Sequence, residues 1–145
     1  MVSPAFAMAL GDVAVTILAL LAGVHLYWAL GGRWGKDAAV PEIPKTNTPL
    51  FRPRKTATLL VAAALAVSAA LVALRIGLMT SPIPDWVPRL ACIALAIVFL
   101  ARAIGDFRYV GFFKRVRGTK FARLDTAAYA PLCLFLAICV GLNAL

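Results

Sequence analysis

The chain has 145 residues, of which 63% are hydrophobic and only 14% are charged. A soluble domain has about 45–50% apolar residues and about a quarter charged ones, so this composition excludes an ordinary soluble domain. The mean hydropathy of +0.91 instead predicts an integral membrane protein.

The net charge of +9 raises the question of a nucleic-acid partner. The basic residues lie in short segments between apolar runs, whereas nucleic-acid binding calls for a continuous basic face. We therefore expect no nucleic acid, and we expect the basic segments to contact the anionic head groups of membrane lipids. A homo-oligomer or a larger membrane complex stays open as a further partner.

Four apolar runs in chain order predict four membrane-spanning helices, at about 10–31, 57–78, 88–107 and 126–145. Each is close to the ~20 residues that a helix needs to cross a hydrocarbon layer of about 30 Å. No basic segment precedes the first run, which predicts an uncleaved span rather than a signal peptide. The predicted fold is all-α: a single transmembrane domain folded as a four-helix bundle.

Polar residues and prolines mark the expected helix ends. Ser3–Pro4 and Gly11–Asp12 are alternative starts for the first helix. Asp125–Thr126 predicts an N-cap for the fourth helix, and Pro131 predicts a kink just beyond it.

The distribution of Lys and Arg predicts the orientation. Six of the 15 lie in the connection 32–56, seven lie in 102–124, and the other two are Arg75 and Arg89 on the opposite side. By the positive-inside rule, the loops at about 32–56 and 108–125 are cytoplasmic and both termini face outward.

Motifs of common catalytic sites are missing from the sequence. The cysteines Cys92, Cys133 and Cys139 form no CxxC pair and lie inside apolar runs, so we predict that they are small core residues. His25 is the single histidine and cannot build a metal site by itself. We therefore predict no catalytic residue, no metal and no cofactor.

Ionisable and aromatic groups near the inner ends of three spans predict a site. At 1.5 Å per residue, His25, Arg102 and Tyr129 lie roughly 5–10 Å from the predicted inner helix ends. Charges facing lipid at that depth are unfavourable, so we expect these groups to face each other. The expected ligand-binding residues of this cytoplasm-facing polar pocket are His25, Trp28, Arg102, Asp106, Asp125 and Tyr129.

Four of these residues also have a simpler interpretation. Arg102 and Asp106 are separated by four positions and predict an ion pair along the third helix. Alternatively, Arg102 reaches the lipid phosphates, and Asp106 caps the loop or pairs with Arg108. Asp125 is then only a helix cap, and Trp28 only an aromatic residue of the membrane interface. Asp12 is either a cap near the outer surface or a proton carrier.

Three hypotheses about function follow. The first is a non-enzymatic membrane protein that binds a small or lipid-like ligand in the polar pocket. The second is a small proton-coupled transporter that uses Asp12 or His25 as the protonatable group. The third is a membrane-embedded enzyme that acts on a lipid-soluble substrate, with His25 or Asp106 as the acid or base.

Four stretches carry a resemblance to a known family: HLYWALGGRWG (25–35), FRPRKTATLLVAAAL (51–65), RAIGDFRYVGFFKR (102–115) and FARLDTAAYAPLCL (121–134). Together they resemble the domain of unknown function 3995 family, which consists of small bacterial four-span membrane proteins. The resemblance implies a location in the bacterial inner membrane. It implies no substrate, reaction or site residue.

Overall fold

A computed structural model of the protein describes residues 3–46 and 48–145 and is mostly helical. The long helices are α1 (Pro4–Ala29), α2 (Lys55–Arg75) and α3 (Trp86–Ile104). A fourth long helix, Lys120–Ala144, consists of α4 (Lys120–Leu124), a π turn (Asp125–Tyr129) and α5 (Ala130–Ala144). The helical fold class is confirmed.

The first connection between helices contains the remaining regular structure. It holds a 3₁₀ turn (Lys36–Ala38) and two very short strands, β1 (Glu42–Ile43) and β2 (Thr48–Pro49). The strands pair antiparallel, with Glu42 opposite Pro49. This connection is therefore a folded segment that can contribute side chains to a site.

All four long helices are long and apolar enough to cross a membrane. In an apolar stretch of 18 residues within each helix, only 17% to 39% of the residues are buried within the molecule. The remaining apolar surface faces outward, which would be unfavourable in water. Four such helices suggest a membrane protein.

The helices form an antiparallel ring in the order α1, α2, α3, α5. Its core is built from small and branched side chains: Ala14, Leu18, Ala69, Val72, Cys92, Leu136, Cys139, Val140 and Ala144. The core position predicted for Cys92 and Cys139 is confirmed, because both are fully buried, while Cys133 is partly buried.

The two ends of the bundle differ in composition. At one end, which we call the terminus end, the Asn143 amide donates to Ala7 O at 2.9 Å and Arg89 Nε donates to Ala144 O at 3.0 Å. At the opposite loop end lie the two longer connections, and 13 of the 15 Lys and Arg residues lie in these connections or in the adjoining helix ends.

Two helices begin earlier in the sequence than the predicted spans, because side-chain hydrogen bonds cap them at earlier residues. Of the two alternative starts of α1, Gly11–Asp12 is wrong, because Ser3 Oγ caps the helix by accepting from Phe6 N–H at 3.3 Å. The last helix begins earlier than expected, because Thr119 Oγ1 accepts from Ala122 N–H at 3.1 Å. The interpretation of Asp125 as an N-cap is wrong, since it lies inside the helix.

The π turn has a cause in the sequence. Pro131 has no N–H, and its ring crowds the carbonyl group four residues earlier, so regular α-helical hydrogen bonding fails there. The N–H of Ala130 donates to Asp125 O, five residues back. Such turns are frequent at functional sites, and this one begins at Asp125 and ends at Tyr129.

Candidate functional site

The connection between α3 and α4 is a tight loop that depends on two glycines. Gly105 and Gly111 have φ of 92° and 86°, a region that favours glycine. A Cβ on Gly105 would clash with the backbone of Val110, and a Cβ on Gly111 would clash with that of Ile104. The two backbone segments therefore cross in direct contact.

Asp106 stabilises this loop from within. Its Oδ1 accepts backbone N–H bonds from Arg108, Tyr109 and Val110 at 2.9, 2.7 and 2.9 Å. Partial burial raises the pKa of the Asp106 carboxyl, but the backbone N–H donors together lower it by more, so the pKa lies below its ordinary value. The predicted Arg102–Asp106 ion pair is wrong, because α3 ends at Ile104 and Asp106 has left the helix.

The tight loop delivers two donors to Asp125, which is fully buried. Asp125 Oδ2 accepts from Gly111 N–H at 2.7 Å and from Lys114 Nζ at 3.0 Å. Its Oδ1 accepts from Arg102 Nη2 at 2.9 Å. We call Arg102, Gly111, Lys114 and Asp125 the Asp125 cluster. It connects α3, the loop and the last helix.

Lys114 is itself buried, which is rare for lysine unless its charge is paired. Besides Asp125, its ammonium donates to Gly111 O at 2.9 Å and to Thr126 Oγ1 at 2.6 Å. All three of its protons are thereby used. The cluster holds two cations and one carboxylate, and Nη1 of Arg102 is buried without a hydrogen-bond partner in the described chain.

A cavity of about 440 Å³ lies at the loop end between α1, α2 and the first connection. We call it the α1–α2 cavity. Its polar lining residues include His25, Trp28, Lys36, Arg52 and Arg54, and its apolar ones include Val40, Phe51, Pro53 and Val61. Basic and apolar groups therefore face the same volume.

Two hydrogen bonds hold the aromatic wall of this cavity. His25 Nδ1 lies 2.8 Å from Leu21 O, and because a carbonyl oxygen only accepts, Nδ1 carries the proton. Trp28 Nε1 donates to Trp34 O at 2.8 Å, and the His25 and Trp28 rings meet edge-on at 5.0 Å. Nε2 of His25 is the ring nitrogen left to meet a ligand.

A family model described as "Protein of unknown function (DUF3995)" matches residues 18–140, which include both the α1–α2 cavity and the Asp125 cluster. The chain belongs to this family. No curated protein and no solved structure matches it.

In this DUF3995 protein, the six residues predicted to share a pocket occupy different places. His25 and Trp28 line the α1–α2 cavity, which is not lined by the other four. Arg102 and Asp125 meet in the Asp125 cluster, and Asp106 holds the tight loop.

Tyr129 connects the two regions. Its hydroxyl donates to Ala38 O at 3.1 Å, in the segment that forms one wall of the cavity. Asp12 lies exposed on α1, thirteen positions from His25, and thus about 20 Å away along the helix. The two residues considered for proton coupling are therefore far apart.

Several residues of this end of the DUF3995 fold were not predicted from the sequence. Lys114 gave no signal beyond its position after two phenylalanines, and Arg52 and Arg54 looked like ordinary loop charges. Among residues 3–46 and 48–145, no three His, Cys, Asp or Glu side chains group closely enough to hold a metal ion.

Proposed function

We propose that this protein is a non-enzymatic protein of the bacterial inner membrane that binds a lipid-like anion in the α1–α2 cavity. The observation that carries the proposal is the cavity itself, which combines a cationic side with an apolar side. The loop end faces the cytoplasm and both termini face outward, in keeping with the 13 basic residues at the loop end.

The size and lining of the cavity suit an amphipathic molecule. Its volume of about 440 Å³ lies within the roughly 300–1,000 Å³ typical of small-molecule sites. Arg52 and Arg54 offer planar guanidinium groups, which bind phosphate or carboxylate in a bidentate manner. Phe51 and Val61 supply contact for a hydrocarbon segment, and Nε2 of His25 adds one hydrogen bond.

The other predicted residues support the cavity without lining it. Tyr129 holds the wall segment through Ala38 O. The π turn that carries Tyr129 also carries Asp125, which is fixed by Arg102 and Lys114. In this arrangement Arg102, Asp106 and Asp125 are positioning residues for the loop end.

The test is lipid retention by matched charge variants. One variant carries Arg52→Gln and Arg54→Gln, and the control carries Arg115→Gln and Lys120→Gln, which removes the same charge from exposed residues of the same end. Each protein is extracted with its native lipids, and bound anionic lipid per protein is measured by native mass spectrometry.

We expect the cavity variant to bind one anionic lipid fewer per protein, with its affinity for that lipid reduced roughly tenfold or more, because each charge-assisted hydrogen bond contributes to affinity. The control should retain it. A third variant, Ala57→Trp, fills the cavity without changing charge and should lose lipid as well. Equal retention in all variants would contradict the proposal, and so would equal loss in the cavity variant and the control.

A further inference from the structure

A second opening lies at the loop end, and it shares no lining residue with the α1–α2 cavity. It has a volume of about 360 Å³ and lies between the tight loop and the start of the last helix. We call it the basic cleft, lined among others by Phe112, Lys114, Arg117, Arg123, Thr126 and Ala127.

The charges of the basic cleft are not balanced by the protein. Lys114 is paired with Asp125, which also pairs with Arg102, so this carboxylate is already shared by two cations. Arg117 and Arg123 are exposed, and neither forms a salt bridge with a carboxylate in residues 3–46 or 48–145. The cleft therefore has a surplus of positive charge, which attracts an anion.

The donors available to an anion can be identified. All three ammonium protons of Lys114 are donated to groups of the protein, and the Thr126 hydroxyl donates to Ala122 O at 3.1 Å. Neither side chain therefore has a proton left to donate to an anion. The guanidinium groups of Arg117 and Arg123 remain, and both can bind phosphate oxygens in a bidentate manner.

We propose that the basic cleft binds the phosphate group of an anionic phospholipid between Arg117 and Arg123. Phe112 and Ala127 give the same cleft an apolar side, against which the glycerol and the first acyl carbons lie. The exposed rings of Phe107 and Phe113 lie in the same connection between α3 and α4. Exposed aromatic rings mixed with basic residues are typical of a segment in the head-group layer. A lipid thus fits this place better than a free phosphate ion does.

The test uses full-length protein that has been delipidated in detergent and titrated with phosphatidylglycerol. Bound lipid is counted by native mass spectrometry for Arg117→Gln/Arg123→Gln and for the control Arg115→Gln/Lys120→Gln. The Arg117/Arg123 variant should bind one tightly held lipid fewer. The dissociation constant for that lipid should be roughly tenfold larger. The control should bind as the unmodified protein does.

A second variant and a competitor complete the design. Ala127→Leu narrows the cleft without changing charge, and it should also remove the tight lipid. Unchanged binding in both cleft variants, or equal loss in the control, would overturn the site. Displacement of the lipid by millimolar inorganic phosphate would overturn the assignment to a lipid, whereas resistance to phosphate supports it.

Discussion

At the scale of single residues, Asp125 combines full burial with two cationic partners and a backbone N–H. Removing a carboxylate from such a cluster leaves Lys114 buried without a counter-charge. Breaking a buried pair by removing one partner typically costs about 3–5 kcal/mol. Asp125 is therefore the residue on which the conformation of the loop end depends most.

We predict that Asp125→Asn destabilises the protein by about 3–5 kcal/mol, because the amide keeps the shape of the side chain but not its charge. The control is Asp12→Asn, the same substitution at an exposed position of α1, which should cost less than about 0.5 kcal/mol. Chemical unfolding in detergent micelles, followed by tryptophan fluorescence, measures both. Equal stability of the two variants would show that the cluster does not hold the loop end.

At the scale of elements, Gly11 lies where α1 packs closely against its neighbours at the terminus end. A Cβ at this position would lie 2.6 Å from Ile76 Cγ2 and 3.2 Å from Asn143 Nδ2. Gly11 therefore lets α1 pack directly on the end of α2 and on α5. Gly23 lies in the same helix, and nothing lies within 4 Å of its would-be Cβ.

The two glycines give a matched experiment. Gly11→Leu should destabilise the protein by about 1–3 kcal/mol, because a side chain is forced into a filled interface. Gly23→Leu should have little effect, since it points into open space. The thermal unfolding midpoint of each variant is measured in the same detergent. A larger decrease of the midpoint for Gly23→Leu than for Gly11→Leu would contradict the helix packing.

The last helix shows how one residue shapes an element. Pro131 disrupts the α-helical pattern, and the π turn that results lies directly before it. Asp125 and Tyr129 mark its two ends. One element therefore contributes both the centre of the Asp125 cluster and the hydroxyl that holds the cavity wall.

At the scale of the whole molecule, the two ends of the bundle differ sharply in charge. The terminus end has Arg75 and Arg89 only, and the loop end has the other 13 basic residues. From this asymmetry and the positive-inside rule, we expect the loop end to lie in the cytoplasm. Both proposed lipid sites would then face the inner leaflet, where anionic lipids attract basic segments.

Cysteine labelling in intact cells tests this orientation. A cysteine at Thr80 lies in the turn at the terminus end, and one at Thr46 lies in the first connection at the loop end; both positions are exposed. We expect a membrane-impermeant maleimide to label Thr80→Cys directly and Thr46→Cys only after permeabilisation. The reverse pattern would invert the topology. Cys92 and Cys139 are fully buried and should contribute little background.

The sequence by itself determined the four long helices and the charge difference between the two ends. These properties depend on composition within one segment, since a run of apolar residues is read without knowledge of its neighbours. The distortion before Pro131 is also a property of one segment, because the missing N–H of Pro131 affects hydrogen bonding within a single helix.

Only the tertiary structure decided which polar groups meet. Spacing along a helix favoured Asp106 as the partner of Arg102, but the turn at Gly105 ends α3 and frees Arg102 for Asp125, which is 23 positions away. Lys114 reaches the same carboxylate because two glycine backbones cross. The α1–α2 cavity likewise needs α1, α2 and the first connection together. Such contacts depend on the path of the loops in space, which local propensity does not encode.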